Sequence, residues 1–134
     1  MRFVDTDVLL YAISNAPEEA SKAQTALNLL DSEDLALSVQ VLQEFYVQAT
    51  RPSKPERLQH EQAAALIDSF LRYPVMETTV ALMQSALAIR SKFQISYWDA
   101  AIIEAARALG CAEVLSEDLN DGQDYDGVRV TNPF

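Results

Sequence analysis

The sequence predicts an α/β domain in which a central parallel sheet is covered by helices on both faces. Short apolar segments with strand character alternate along the chain with longer segments whose apolar residues recur at helical spacing. Strands that are separated by helices indicate a parallel sheet with its helices packed on the two sides. The chain of 134 residues has no internal repeat, linker or low-complexity segment, so we expect one domain over residues 1–134.

The first part of the chain is predicted to contain two strands and three helices. Apolar residues at helical spacing predict the helix at Glu18–Leu30, and Ser38 is the expected N-cap of the third helix. In chain order the predicted elements are a strand at Arg2–Val4, a helix at Val8–Ser14, a helix at Glu18–Leu30, a strand at Leu35–Leu37 and a helix that runs from Ser38 to about Thr50.

Two prolines in the segment TRPSKPE then interrupt the helical pattern. Ser53 and Glu56 have the spacing of a capping box, with Pro55 inside it, which predicts a helix from there to Tyr73. The remaining predicted elements are a strand at Pro74–Glu77, a helix at Val80–Lys92, a helix at Trp98–Leu109 capped by Ser96, and strands at Glu113–Leu115 and Val128–Thr131. An acidic loop separates the last two strands.

Four acidic residues from distant parts of the sequence lie near predicted strand ends or helix starts. They are Asp5, Glu44, Asp99 and Asp118. Ligands of open parallel sheets bind beyond the carboxyl ends of the strands, so we expect these acids to meet at that edge. Each one alone also has a simpler explanation, because acids commonly cap helices, favour the helix dipole or are merely solvated.

Clustered carboxylates repel one another and raise each other's pKa, a cost that a hard divalent cation removes. Mg²⁺ and Mn²⁺ prefer oxygen ligands, typically one or two carboxylates together with water and substrate phosphates. The formal net charge of −10 predicts a surface that repels nucleic acid and anionic membranes. A cation site would reverse the field locally and would make an acidic protein compatible with a polyanionic partner.

Several other chemistries lack their residues in this sequence. Three glycines in helix-end or loop positions provide no phosphate cradle, and the single histidine, His60, has no serine-hydrolase motif to accompany it. One cysteine, Cys111, excludes an internal disulfide and a histidine–cysteine zinc site, and favours a reducing cytoplasm. No apolar run approaches the roughly 20 residues of a membrane span, so no membrane partner is expected.

The chain resembles a PIN-domain ribonuclease, in particular the VapC-like toxins of toxin–antitoxin pairs. Five segments give the resemblance, in this order: FVDTDVLLYA, VLQEFY, YWDAAIIEAA, VLSEDLNDG and VRVTNPF. It implies a three-layer α/β/α PIN-like fold and endonucleolytic cleavage of RNA that depends on Mg²⁺ or Mn²⁺. Asp5 and Asp99 would be the main metal ligands, and Glu44 and Asp118 would complete the catalytic site.

The resemblance leaves part of the site open. Asp7 stands where the family more often has Asn, and Ser116, Glu117 and Asp121 lie close to Asp118 in the sequence. A cognate antitoxin and a homodimer are the expected protein partners. Basic residues outside the pocket would guide the RNA, and the candidates are Arg51, Lys54, Arg57, Arg90 and Lys92.

Other classes of protein remain as alternatives. A PIN nuclease of RNA processing would have the same chemistry without being a toxin. A phosphatase of the haloacid dehalogenase type needs Gly-Thr where this chain has Val8 and Leu9. A phospho-receiver domain needs a lysine at the end of a late strand, but this chain has no lysine after Lys92. A binding module whose acids only cap helices would bind Mg²⁺ no better than background.

Overall fold

A six-stranded sheet forms the middle layer of the computed structural model, which describes all of residues 1–134. The strands are β1 (Arg2–Val4), β2 (Leu35–Ser38), β3 (Val75–Met76), β4 (Glu113–Leu115), β5 (Asp124–Tyr125) and β6 (Val128–Thr131). Their order across the sheet is β3-β2-β1-β4-β6-β5. All neighbouring strands are parallel except β5 and β6, which form an antiparallel hairpin at one edge. The predicted parallel sheet is therefore confirmed, with one antiparallel addition.

Six α-helices cover the two faces of this sheet. They are α1 (Thr6–Ala12), α2 (Ala20–Leu30), α3 (Val39–Ala49), α4 (His60–Phe70), α5 (Val80–Phe93) and α6 (Tyr97–Ala108), and a short 3₁₀ helix at Pro17–Glu19 precedes α2. Helix α6 packs across β2, β3, β4 and β6, and α5 packs against α6. Helix α1 contacts α2 and α3, and α3 contacts α4. The result is the expected three-layer α/β/α arrangement. None of the helices has the length and apolar content that a membrane span requires.

The strands at the centre of the sheet are buried on both faces. Every residue of β2 is buried, and so are Phe3 and Val4 of β1 and Val114 and Leu115 of β4. Strands covered on both sides are continuous apolar runs rather than alternating ones, because each face must pack against helices. This accounts for the apolar segments FV, LAL and VL in the sequence.

The chain reverses its direction across the sheet between β1 and β4. From β1 it proceeds to β2 and β3 on one side, and it then crosses to β4 on the other side of β1. Val4 lies opposite Leu115, and the backbone N–H of Asp5 donates to the carbonyl of Leu115 at 3.0 Å. The carboxyl ends of β1 and β4 therefore lie side by side at a topological switch point, where open α/β sheets form a crevice.

Two predicted helix starts differ from the structure. Helix α1 begins at Thr6 rather than Val8, because the Asp5 side chain caps it by accepting from the Thr6 N–H. The predicted capping box of Ser53 and Glu56 is wrong, since Glu56 has a left-handed φ of 55° that a first helical turn cannot contain. Helix α4 begins instead at His60. Gln59 is its N-cap residue, and the backbone N–H of Gln59 donates to the Gln62 side chain.

The predicted acidic loop also contains strand β5, which the sequence prediction missed. Asp126 and Gly127 both have positive φ values, 53° and 97°, and they form the two-residue turn between β5 and β6. Asp-Gly between two strands is a strong hairpin signal because both central residues of such a turn need positive φ. The other helix and strand boundaries lie within about three residues of the predicted ones, which is close to the usual uncertainty at element ends.

Candidate metal centre

Three carboxylates converge at the switch point between β1 and β4. Each of Asp5, Asp7 and Asp118 offers an oxygen atom, and these atoms all lie within 4.8 Å of one another. Asp5 follows β1 directly, Asp7 lies in the first turn of α1, and Asp118 lies in the turn after β4. We call these three residues the acid trio. All the ligand atoms in the trio are oxygen, which suits a hard cation such as Mg²⁺ or Mn²⁺ rather than Zn²⁺.

Asp5 is almost completely buried, with only 8% of its surface exposed. Its Oδ1 accepts a hydrogen bond from the Thr6 N–H at 2.7 Å, and its Oδ2 accepts one from the Ser116 hydroxyl at 2.8 Å. Burial raises the pKa of Asp5 to about 6; the two hydrogen bonds oppose this shift, and the charges of Glu44 and Asp118 add to it. Asp5 is therefore both the N-cap of helix α1 and a member of the acid trio.

Asp7 has an oxygen atom with no partner in the protein. Its Oδ2 accepts a hydrogen bond from the backbone N–H of Glu117 at 2.7 Å, but its Oδ1 is the one buried side-chain oxygen or nitrogen that has no hydrogen bond. Burial, followed by the charge of Asp5, raises the pKa of Asp7 to about 7. Buried polar atoms are almost always satisfied, so an unpaired carboxylate oxygen within the trio fits a cation ligand.

The turn that contains Asp118 is fixed by the hydroxyl of Ser116. This oxygen accepts hydrogen bonds from the backbone N–H groups of Asp118 at 3.1 Å and Leu119 at 3.3 Å. Partial burial raises the pKa of the Asp118 carboxyl, and the negative charges of Glu117, Asp99 and Glu44 raise it further. Asp118 is nevertheless the most exposed member of the acid trio, which leaves the trio open to solvent on this side.

Glu44 and Asp99 lie close to the trio but outside it. Glu44 Oε2 accepts from the Thr6 hydroxyl at 2.7 Å and Glu44 Oε1 accepts from the Gln40 amide at 2.9 Å, so α1 and α3 together orient this carboxylate. Asp99 lies in the first turn of α6, where its backbone N–H donates to Ser96 as predicted for a cap. The structure thus brings all four predicted acids to one edge of the sheet, while their roles as ligands remain predictions.

The undecided neighbours of Asp118 have different surroundings. The Glu117 carboxylate accepts from Lys22 at 2.7 Å and from the Tyr11 hydroxyl at 2.8 Å, and these contacts lower the pKa of Glu117. Asp121 accepts from the backbone N–H of Asn132 at 2.8 Å, near the end of the chain. Neither residue belongs to the trio, and Asp7 is the one that joins Asp5 and Asp118.

Sequence reasoning did not identify the residues that orient the acids. Gln40 lies one helical turn before Glu44 on α3, a spacing that could have indicated their hydrogen bond. Thr6, between the two aspartates, donates to Glu44 from a different helix, and Lys22 reaches Glu117 from α2. The sequence gives no signal for these last two contacts, because each joins residues that are far apart along the chain.

The predicted basic residues have different surroundings. Lys54 is half-buried and lines a cleft of about 230 Å³ together with Asp7, Leu10, Tyr11 and Glu19. Arg51 and Arg57 are exposed in the same loop, and Arg90 is exposed on α5. Lys92 is already paired with Asp126, with Nζ and Oδ2 2.7 Å apart. Among the candidate RNA-binding residues, Lys54 is therefore the one that lines a cleft together with a member of the acid trio, Asp7.

An α/β/α fold with acids at its switch point defines a broad class of proteins, and comparison with known families narrows it. The family described as PIN domain matches residues 2–122. The chain therefore belongs to the PIN domain family, as its resemblance had predicted. A search of curated proteins by sequence found no match.

Solved structures with the same fold include proteins from toxin–antitoxin pairs. A toxin–antitoxin complex from Klebsiella pneumoniae aligns with 17% identity and a TM-score of 0.72, covering 100% of this chain and 98% of that chain. VapC20 of Mycobacterium tuberculosis, described as a sarcin–ricin loop cleaving toxin, aligns with 22% identity and a TM-score of 0.69, covering 88% and 92%. DNA-bound VapBC from Salmonella typhimurium aligns with 19% identity and a TM-score of 0.67, covering 99% and 98%. At these identities the similarity shows a shared fold.

Proposed function

We propose that this protein is a metal-dependent endoribonuclease and the toxin of a toxin–antitoxin pair. The observation that supports the proposal most is the unpaired Asp7 Oδ1 within the acid trio. A protein without a cation would gain little from grouping three carboxylates, because their mutual repulsion and burial disfavour the ionised forms. A metal site requires such a group of carboxylates, and a bound cation would remove their repulsion.

In this proposal Mg²⁺ or Mn²⁺ is bound by the acid trio together with Asp99 and Glu44, directly or through water. The cation would supply Lewis-acid chemistry, neutralising charge on the scissile phosphate and favouring ionisation of the attacking water. Asp5 and Asp99 are the proposed main ligands, and Glu44 and Asp118 complete the site. The hydrogen bonds from Thr6 and Gln40 fix the Glu44 carboxylate, so Glu44 is suited to orienting a water molecule.

RNA is the proposed substrate, and the support for it comes from relatives of the same fold. One of them is described as a sarcin–ricin loop cleaving toxin, and others are toxin–antitoxin complexes. Lys54, with no ion-pair partner and a place in the cleft beside Asp7, is suited to contacting a phosphate. Arg51, Arg57, Arg90 and Lys92 would add longer-range attraction. A PIN nuclease of RNA processing is the alternative within the same chemistry.

We also propose a cognate antitoxin and a homodimer as protein partners. Val80, Met83 and Leu87 follow one another at helical spacing on α5, and their side chains are exposed at 68%, 42% and 52%. An exposed apolar stripe of this kind suits burial against another chain. A cytoplasmic location and a single nuclease domain over residues 1–134 remain predictions of the same proposal, and the free Cys111 is compatible with a reducing compartment.

The direct test is an RNA cleavage assay with purified protein. Structured and single-stranded RNA would be incubated with Mg²⁺, with Mn²⁺ and with EDTA, and products would be mapped at nucleotide resolution. We expect internal cleavage that EDTA abolishes and that Asp5→Asn and Asp99→Asn each reduce by at least about a hundredfold. The matched control is Glu33→Gln, which removes an exposed acid near the amino end of β2, at the opposite edge of the sheet.

Three results would contradict the proposal. Cleavage that persists in EDTA would exclude the metal-dependent mechanism, and full activity of the pure Asp5→Asn or Asp99→Asn protein would exclude the assigned residues. Hydrolysis of p-nitrophenyl phosphate without cleavage of RNA would instead support the phosphatase alternative. For the toxin, we expect the wild type to arrest growth when expressed in bacteria and Asp5→Asn to be harmless at the same protein level.

A further inference from the structure

Trp98 is exposed beside the proposed catalytic acids. It is the one tryptophan of the chain, it precedes Asp99 on α6, and 64% of its surface is exposed. The Tyr97 ring packs against it edge-on, with ring centroids 5.0 Å apart and an interplanar angle of 82°. The other large exposed apolar side chains are not aromatic, and they lie on or directly after other helices or at residue 1.

The indole forms one wall of a cleft whose other walls are mostly amides. Helix α3 lines the rest of this cleft, which has a volume of about 330 Å³, with Gln40, Gln43, Glu44, Val47 and Gln48. The Gln40 amide donates to Glu44 Oε1 at 2.9 Å and to the Trp98 carbonyl at 3.3 Å, so it links α3 to the start of α6. The cleft therefore shares Glu44 with the proposed catalytic site. We call it the Trp98 cleft.

The polarity of the Trp98 cleft defines the kind of ligand that it suits. No lysine or arginine lines it, and Glu44 adds a negative charge, so a phosphate group is disfavoured there. Glutamine amides can both donate and accept hydrogen bonds, and an indole face stacks on flat rings. A neutral, planar group with donors and acceptors on its edge matches both properties.

We propose that the Trp98 cleft binds one unstacked nucleobase of single-stranded RNA, adjacent to the bond that is cleaved. The inference rests on the proposed function, and it adds that the substrate is unpaired at this position. Bases of single-stranded RNA are bound by stacking on aromatic side chains and by hydrogen bonds to their edges. The side chain of Gln43 is exposed and makes no hydrogen bond within the protein, so it is free to contact the base edge.

The single tryptophan makes the binding directly measurable. Its fluorescence would be titrated with single-stranded oligouridylate and oligoadenylate, with an RNA duplex and with inorganic phosphate. The wild type would be titrated in EDTA and the Asp5→Asn protein in Mg²⁺, so that no cleavage takes place in either case and repulsion by the metal-free acids is controlled. We expect strong, saturable quenching by at least one single-stranded oligonucleotide, and little change with the duplex or with phosphate. A stacked base quenches by direct contact, whereas a bound phosphate does not.

Variants test whether the indole contributes to affinity. With a fluorescently labelled oligonucleotide, we expect Trp98→Ala to weaken binding about tenfold and Trp98→Phe to retain most of the affinity, since stacking needs an aromatic face. Leu71→Ala is the matched control, because Leu71 is a comparably exposed apolar residue, at 53%, directly after α4. Gln43→Ala gives an independent test that leaves the aromatic pair intact, and we expect a loss of affinity there too.

Two results would overturn the inference. One is wild-type binding by Trp98→Ala and Gln43→Ala, together with unchanged Trp98 emission when single-stranded RNA is bound. The other is a blue shift of Trp98 emission with rising protein concentration, with Trp98→Ala sedimenting as a monomer while the wild type is a dimer, because a second copy would then cover the cleft. Failure of the proposed nuclease function can be distinguished from failure of this inference. The first appears as absence of RNA cleavage by the wild type with Mg²⁺, and the second as absence of Trp98 quenching in the titration.

Discussion

The hydroxyl of Ser116 donates a 2.8 Å hydrogen bond to Oδ2 of Asp5 and thereby joins the carboxyl ends of β4 and β1. The same oxygen accepts from the backbone N–H groups of Asp118 and Leu119. Ser116 is completely buried, so water cannot replace these contacts. One hydroxyl thus orients two members of the acid trio, although sequence analysis treated Ser116 only as a possible addition to the site.

Ser116→Ala should therefore destabilise the protein and disturb the site. We expect the free energy of unfolding to fall by about 1–3 kcal/mol, because the buried Asp5 carboxylate loses a donor and two N–H groups lose their acceptor. Urea denaturation at neutral pH measures the change. Ser53→Ala, in an exposed loop, is the control and should change stability by less than about 0.5 kcal/mol. Equal stability of both variants would show that the hydrogen bond contributes nothing.

The stability of the metal-free protein should fall as the pH rises. The pKa values of Asp5 and Asp7 are about 6 and about 7, above the ordinary 3.8, so the folded state binds more protons than the unfolded state between these limits. Stability then decreases from about pH 4 to about pH 7 and changes little more from these two groups above that range. Thermal melts in EDTA across this range provide the measurement.

The overall negative charge would produce a similar trend, so the decisive comparison is with a variant. Asp7→Asn removes the group with the pKa of about 7, and it keeps an oxygen that can accept from the Glu117 N–H. We expect a flatter pH profile and a stability at about pH 7.5 at least equal to that of the wild type. Glu33→Gln, which removes one exposed charge, should keep the wild-type slope. Parallel profiles for all three proteins would show that Asp7 titrates normally.

The sheet and the general position of the acids could be predicted from the sequence, because buried parallel strands and N-cap residues have local signatures. Asp5 follows an apolar strand, and the carboxyl ends of parallel strands meet at one edge. The membership of Asp7 could not be decided in this way. It depends on a hydrogen bond from Glu117, which is 110 residues away along the chain, and on the burial that leaves Oδ1 unpaired.

The wrong helix start at Ser53 has a cause of the same kind, because it too depends on contacts beyond the local sequence. The Ser53–Glu56 pair has the composition of a capping box, but the left-handed conformation of Glu56 places the segment in an irregular loop instead. That loop brings Lys54 into the cleft beside Asp7. A correct helix prediction would have needed the tertiary contacts of the loop, such as the hydrogen bond from the Leu58 N–H to the Ala49 carbonyl at 2.9 Å.

Lys54 should contribute more to RNA binding than the other basic residues. We expect Lys54→Gln to weaken binding in EDTA and to reduce the slope of log affinity against log salt concentration by about 0.7, the value for one contact with a single strand. Arg2→Gln is the matched control, because Arg2 pairs with Asp34 at the amino end of β1. Neutralising Arg51, Lys54 and Arg57 together should flatten the slope further. Equal slopes for Lys54→Gln and the wild type would return Lys54 to an ordinary solvated role.

The central claim is that the acid trio binds a divalent cation, and a calorimetric titration tests it most directly. Mn²⁺ or Mg²⁺ would be titrated at neutral pH into the wild type, Asp7→Asn, Asp118→Asn and the Glu33→Gln control, without RNA. We expect saturable binding by the wild type and the control, and affinities at least about tenfold weaker in the two trio variants. Binding only to the folded state should also raise the melting temperature of the wild type. Equal binding by all four proteins, or binding by none, would contradict the claim and would leave the three carboxylates as helix-capping and structural residues.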